Sequence, residues 1–191
     1  MAWHNLIGAV FGALLVGACA TAEQKTAAAS KIDVRDDPFS AYREYTTGAL
    51  TRTNVDGGDV VLLAARINRK SGQTTTLVSV SIIYNTLERR HYERAANGQA
   101  EALQVQKLPV QGGCDFGKKH CRFTETVHVV IPEAVLRQVS PAGYQFKIFA
   151  KLGFELLVTL QKPVVASLLE KIDADRAHPP GPAQVSQREA H

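Results

Sequence analysis

The common catalytic strings are missing from this chain. It has no Gly-x-Ser-x-Gly elbow, no phosphate-binding glycine loop and no His-Glu-x-x-His pair. Their absence weighs against the familiar hydrolase, nucleotide-binding and zinc-protease chemistries. Aromatic residues make up only 7%, and no basic stripe interleaves with them, so nothing marks a nucleic-acid module. No internal repeat is visible. Cysteine is scarce, at three residues: Cys19, Cys114 and Cys121. No cofactor is expected, and neither is catalysis.

An apolar run is present near the start, from Leu6 to Ala18, and it ends at Cys19. The residues before that cysteine are small: Val16-Gly17-Ala18. A secretory signal needs an apolar centre of about 7–15 residues and a small-residue cleavage site. The positive start is weak, because Met1-Ala2-Trp3-His4-Asn5 contains no Lys or Arg. The string Val16-Gly17-Ala18-Cys19 resembles the lipobox of bacterial lipoprotein signal peptides. The resemblance covers residues 1–19 only. It implies that residues 1–18 are removed and that Cys19 becomes the lipid-bearing first residue. Ala20 then implies the outer membrane, on the periplasmic side. Several acyl chains on one cysteine make a stable anchor where a single chain is marginal. Two other readings stay open: a conventional cleavage after Ala18, and an uncleaved apolar anchor of about 18 residues.

The remaining pair, Cys114 and Cys121, reads as a disulfide in an exported chain. Closing so short a loop removes about 2.5 kcal/mol of unfolded-state entropy. A metal site using Asp115, His120 and His128 is the rival, but the cysteine spacing is not that of a zinc finger.

Residues 19–38 are small and polar without apolar period, as in Thr21–Ser30 (TAEQKTAAAS), and read as a flexible, lipid-anchored linker. Residues 173–191 contain His178-Pro179-Pro180-Gly181-Pro182 and read as a disordered tail. The folded domain is placed at 39–172. Inside it, period-two patterns dominate. Val61, Leu63, Ala65 and Ile67 share one strand face, and so do Val78, Val80, Ile82 and Tyr84. Cys121, Phe123, Val127, Val129 and Ile131 form the clearest face. Tyr144–Lys151 and Phe154–Leu160 alternate similarly. Asn97-Gly98 marks a tight turn, since both residues tolerate positive φ. Pro163, Val165, Leu168, Leu169 and Ile172 predict a C-terminal helix. The whole predicts a mostly β domain: an antiparallel β-sandwich or flattened barrel of about seven or eight strands, plus that helix.

Two features carry candidate chemistry. Glu125 interrupts the apolar face between Phe123 and Val127. It is either an acid on the wall of a ligand pocket or a structural group paired with Arg66, Arg90 or Arg94. Arg89 and Arg90 form one basic cluster, and Lys118 and Lys119 another. Brought together, they would make an anion-binding patch; apart, they are solvated loop tips. The formal charge of +4 fits anionic envelope partners and also plain solubility. The expected role is a non-catalytic, membrane-tethered interaction or assembly module of the cell envelope with a protein partner. The alternative is a binding protein for a small apolar or anionic ligand held inside the sandwich. A cell-wall hydrolase ranks last.

Overall fold

A computed structural model describes residues 22–54, 57–114, 121–139 and 141–177. The signal segment, Cys19, Lys118, Lys119, Asp115, His120 and residues 178–191 lie outside the described residues. The elements run α1 (Ala22–Ala29), β1 (Ile32–Arg35), β2 (Tyr42–Thr47), β3 (Leu50–Asn54), β4 (Gly57–Asn68), β5 (Thr74–Thr86) and β6 (Tyr92–Asn97). They continue with β7 (Ala102–Lys107), β8 (Gln111–Cys114), β9 (Cys121–Val130), α2 (Glu133–Arg137), β10 (Tyr144–Ala150), β11 (Glu155–Leu160) and α3 (Lys162–Ala177).

The strands form one curled antiparallel sheet, a half-barrel, in the order β1-β2-β4-β5-β9-β7-β6-β10-β11. The mostly β, antiparallel architecture with a C-terminal helix is therefore as expected. The strand number is higher, because two long strands are each flanked by two short ones. Along β4, β2 pairs with Ala64–Asn68 and β3 with Gly57–Val61. Along β9, β7 pairs with Val127–Val130 and β8 with Cys121–Thr124. Three hairpins join strands adjacent in sequence: β4 with β5, β6 with β7, and β10 with β11.

The period-two faces point inward as predicted. Val61, Leu63, Ala65, Val78, Val80, Ile82, Tyr84, Phe123, Val127 and Val129 all join one core. Val165, Leu168, Leu169 and Ile172 of α3 close that core from the open side of the half-barrel. Each such side chain contributes about 1.5–3 kcal/mol by leaving water.

Three local readings differ from the structure. The polar segment before residue 39 is not a plain spacer. Its alanines favour helix, α1 forms, and Ala29 is fully buried. The Gly48 N–H donates to the carbonyls of Ala29 (3.0 Å) and Lys31 (2.9 Å). A Cβ on Gly48 would collide with the Ala28 carbonyl, so only glycine allows this approach. The segment then adds β1 to the sheet against β2. At the other end, α3 continues past residue 172 to Ala177. Its last turn is held by charge rather than by apolar period: Arg176 reaches Glu133 (2.8 Å), and Asp173 accepts from Arg137.

The third difference is at Asn97-Gly98. Neither residue has positive φ; Ala100 does, at 61°. Asn97 Oδ1 accepts from the N–H groups of Gln99 (3.0 Å) and Glu101 (2.9 Å), so the side chain organises a longer loop.

Candidate functional site

One end of the half-barrel gathers the residues singled out by the sequence. Cys121 opens β9 directly opposite Thr86, the last residue of β5. The loop 87–91 leaves β5 at that point, and the disulfide hairpin of β8 and β9 lies beside it. The turn between β10 and β11 joins them, with the Lys151 N–H donating to the His91 carbonyl at 3.2 Å. Cys114 and Cys121 are bridged, with Cα atoms 4.1 Å apart, and Cys121 Sγ lies 4.0 Å from the Leu87 carbonyl oxygen.

Glu125 anchors this end from inside. It is 4% exposed and points into the core face. A buried carboxylate is costly unless its lone pairs are filled. Here the Tyr84 hydroxyl donates to Oε1, as does the His91 N–H at 3.0 Å. The Tyr92 N–H donates to Oε2 at 2.9 Å. The Arg90 N–H donates in turn to the Tyr84 hydroxyl oxygen at 3.0 Å. Three consecutive amides thus close on one tyrosine–glutamate pair, an arrangement that cradles negative charge. The cradle requires the chain to turn sharply, and His91 does so with φ of 58°. Burial, and next the hydrogen bond to Glu125, push the Tyr84 phenol well above its ordinary range. It stays a donor throughout the physiological range.

Glu125 is therefore a structural group whose two oxygens are both engaged, with no free acid left to face a ligand. Its partners are not the arginines considered above. Arg66 pairs with Glu44 at 2.9 Å, and Arg94 lies over the Phe149 ring. Arg90 stacks between the rings of Tyr84 (4.5 Å) and Phe154 (4.2 Å). The pairing with Tyr84 follows from register: Ile82 faces Glu125, so Tyr84 is its diagonal neighbour on the same face.

A second buried carboxylate escaped the sequence reading. Asp59 lies opposite Ile82, on the same rung as Glu125. Arg52 covers it, with Nε and a terminal nitrogen both 2.8 Å from Oδ2. The same arginine donates to the Leu157 carbonyl on β11 at 3.0 Å. Only the fold shows this, because 105 residues separate the two partners.

The basic clusters fare differently. Arg89 lies over the Phe123 ring at 5.7 Å, and Arg90 is locked in its stack. Arg89 and Arg90 follow the end of β5, which pairs with the start of β9, while Lys118 and Lys119 are outside the described residues. Around Arg89 and Arg90 lie exposed apolar side chains: Leu87 (72% exposed), Leu152 and Phe154. His128 is half-buried; burial, and then Arg66, lower its pKa. Among the described residues, no three His, Cys, Asp or Glu side chains are placed to share a metal ion. Compared with protein-family models, curated proteins and solved structures, the chain gives no match.

Proposed function

We propose that this chain is a non-catalytic interaction module of the bacterial cell envelope. It is tethered through lipidated Cys19 to the periplasmic side of the outer membrane, and its loop end meets a protein partner. The observation that supports the loop end is its construction. A buried carboxylate, three amides and a disulfide fix a surface on which Leu87, Leu152 and Phe154 stand exposed beside Arg89 and Arg90. Rigid apolar anchors flanked by arginine suit a protein interface, because little side-chain freedom is lost on binding. The complementary partner surface presents carboxylates around an apolar centre.

Two experiments test the reading separately. Palmitate labelling of cells expressing the wild-type chain is expected to mark it, and Cys19→Ala is expected to abolish the label. An unlabelled wild type overturns the tether. For the partner, a photo-crosslinking residue at position 87 in intact cells is expected to trap one envelope protein. The adduct is expected to vanish when Leu152→Asp and Arg89→Glu are combined. If no adduct forms, or if it survives both changes, the loop end is not the interface.

A further inference from the structure

Only Ala20 and Thr21 separate Cys19 from Ala22, the first residue of α1. From Cys19 to Ala22 an extended chain spans about 11 Å at most. The helix it leads into is docked on the domain. The Thr26 hydroxyl donates to the side-chain oxygen of Gln161, just before α3. Ala29 is fully buried, and its carbonyl accepts from the Gly48 N–H at the corner between β2 and β3. The helix also touches α3 and β3. A flexible linker lets a domain turn freely on its tether. Here that freedom is confined to the two residues ahead of α1.

Both contacts of α1 are remote from the loop end. Gly48 stands just before β3, which runs on to Asn54; Asn54 pairs with Gly57, and Gly57 with Tyr84 at the loop end. Gln161 stands just after β11, which starts at Glu155 beside the loop-end turn. A strand of that length spans about 17 Å. The helix therefore lies at the ends of β3 and β11 that point away from Leu87, Leu152 and Phe154. Two exposed lysines lie beside its contacts: Lys162 follows Gln161, and the Lys31 carbonyl shares the Gly48 N–H with Ala29. Among the described residues, neither lysine has a carboxylate within ion-pair distance.

We propose that the face built by α1, Lys31 and the start of α3 rests on phospholipid headgroups, and that the loop end is thereby held clear of the membrane. This orientation rests on the tether proposed above and adds to it the surface that meets the lipid. An acylated cysteine is held at headgroup level, and that layer is about 5–7 Å deep on each side of the bilayer. A reach of about 11 Å keeps the first turn of α1 at its edge. Lys31 and Lys162 then meet anionic headgroups, which attract ammonium groups close to the surface. The loop end, about 17 Å away along β11, is left in water for its partner.

Lysine acylation of the purified chain in vesicles of phosphatidylethanolamine and phosphatidylglycerol, read site by site by mass spectrometry, tests the orientation. The reference is the same chain with a Gly-Ser spacer of about twenty residues inserted between Thr21 and Ala22, which adds a span of about 25 Å. Lys162 is expected to react at least about threefold more slowly in the wild type than in the spacer variant, and Lys151, on the loop-end turn, equally in both. Dissolving the wild-type vesicles in detergent is expected to release Lys162 likewise, a comparison that needs no variant. Equal rates for Lys162 throughout, or slowing of Lys151 as large as that of Lys162, overturns the orientation. Fatty-acid analysis of the same preparation separates the two readings. A wild type without acyl chains removes the tether and the orientation with it; an acylated wild type that fails the lysine comparison removes the orientation alone.

Discussion

The two ends of the half-barrel handle buried charge in opposite ways. At the loop end, one carboxylate is surrounded by neutral donors until both its oxygens are engaged. At the helical end, charge is spread over arginines and carboxylates, with Arg43 lying 3.5 Å from Asp36 and 3.4 Å from Asp175. A complete set of short-range donors makes a rigid anchor. A set of longer ion pairs makes a margin whose stability follows pH. The contrast is between a hydrogen-bonded anchor at one end and a set of ion pairs at the other.

The largest effect should come from breaking the anchor. Glu125→Ala strands a phenol and two amides in the core, and is expected to cost about 3 kcal/mol in urea unfolding. Glu125→Gln keeps one acceptor and should cost roughly half of that. A loss under about 1 kcal/mol for the alanine variant would erase the distinction between the ends. Next in size is the disulfide at the same end. Cys114→Ser with Cys121→Ser is expected to lower stability by about 2.5 kcal/mol, read as a lower urea midpoint with little change in slope.

The helical end should respond to pH instead. Burial, and next its hydrogen bond to Asp175, push the Tyr45 phenol from 10.0 up to about 12. Its folded pKa is raised, so its contribution is complete below pH 10 and is lost as pH climbs from 10 to about 12. A phenolate absorbance titration of Tyr45→Phe against the wild type should therefore lack one late-titrating group. Glu133 is held low chiefly by its hydrogen bond to Arg176, and Asp173 chiefly by Arg137. Depressed carboxyls stabilise above their unfolded pKa values, so thermal unfolding should move to lower temperature as pH falls through the 4.5 and 3.8 of the free groups. The smallest effect belongs to the half-exposed pair Lys147–Glu155, where Lys147→Ala should change stability by less than about 0.5 kcal/mol.

What could be foreseen in the sequence divides along the same physical line. Strand faces such as Val78–Tyr84 and Cys121–Ile131 announce themselves because alternate residues must leave water. The α3 stripe does so at helical spacing, and Pro163 lies in its first turn. The disulfide was readable as the even pair of cysteines left in a chain expected to be exported. The α1 helix was not, because alanines carry no apolar period and Ala29 is buried only where Gly48 lets the backbones meet. The doubling of strands along β4 and β9 depends on where the chain bends out of the sheet, which no local pattern records. Glu125 stood out as an anomaly, yet its partners are mostly backbone amides, which look alike at every position. The ion pairs of Arg43 were invisible for a different reason. Asp36, Arg43 and Asp175 are ordinary surface-type residues, and most of the domain separates Asp175 from the other two until α3 folds back across β2.

Arg52 gives the open sheet a seam. By holding Asp59 with one side of its guanidinium and the Leu157 carbonyl with the other, it stitches the third strand to the eleventh. An uncapped outer strand offers its carbonyls to any passing chain. With that carbonyl already taken from within, a second copy trying to zip on at Leu157 would first have to displace the Arg52 guanidinium. A single side chain so discourages the molecule from polymerising through the very edge its curvature leaves ajar.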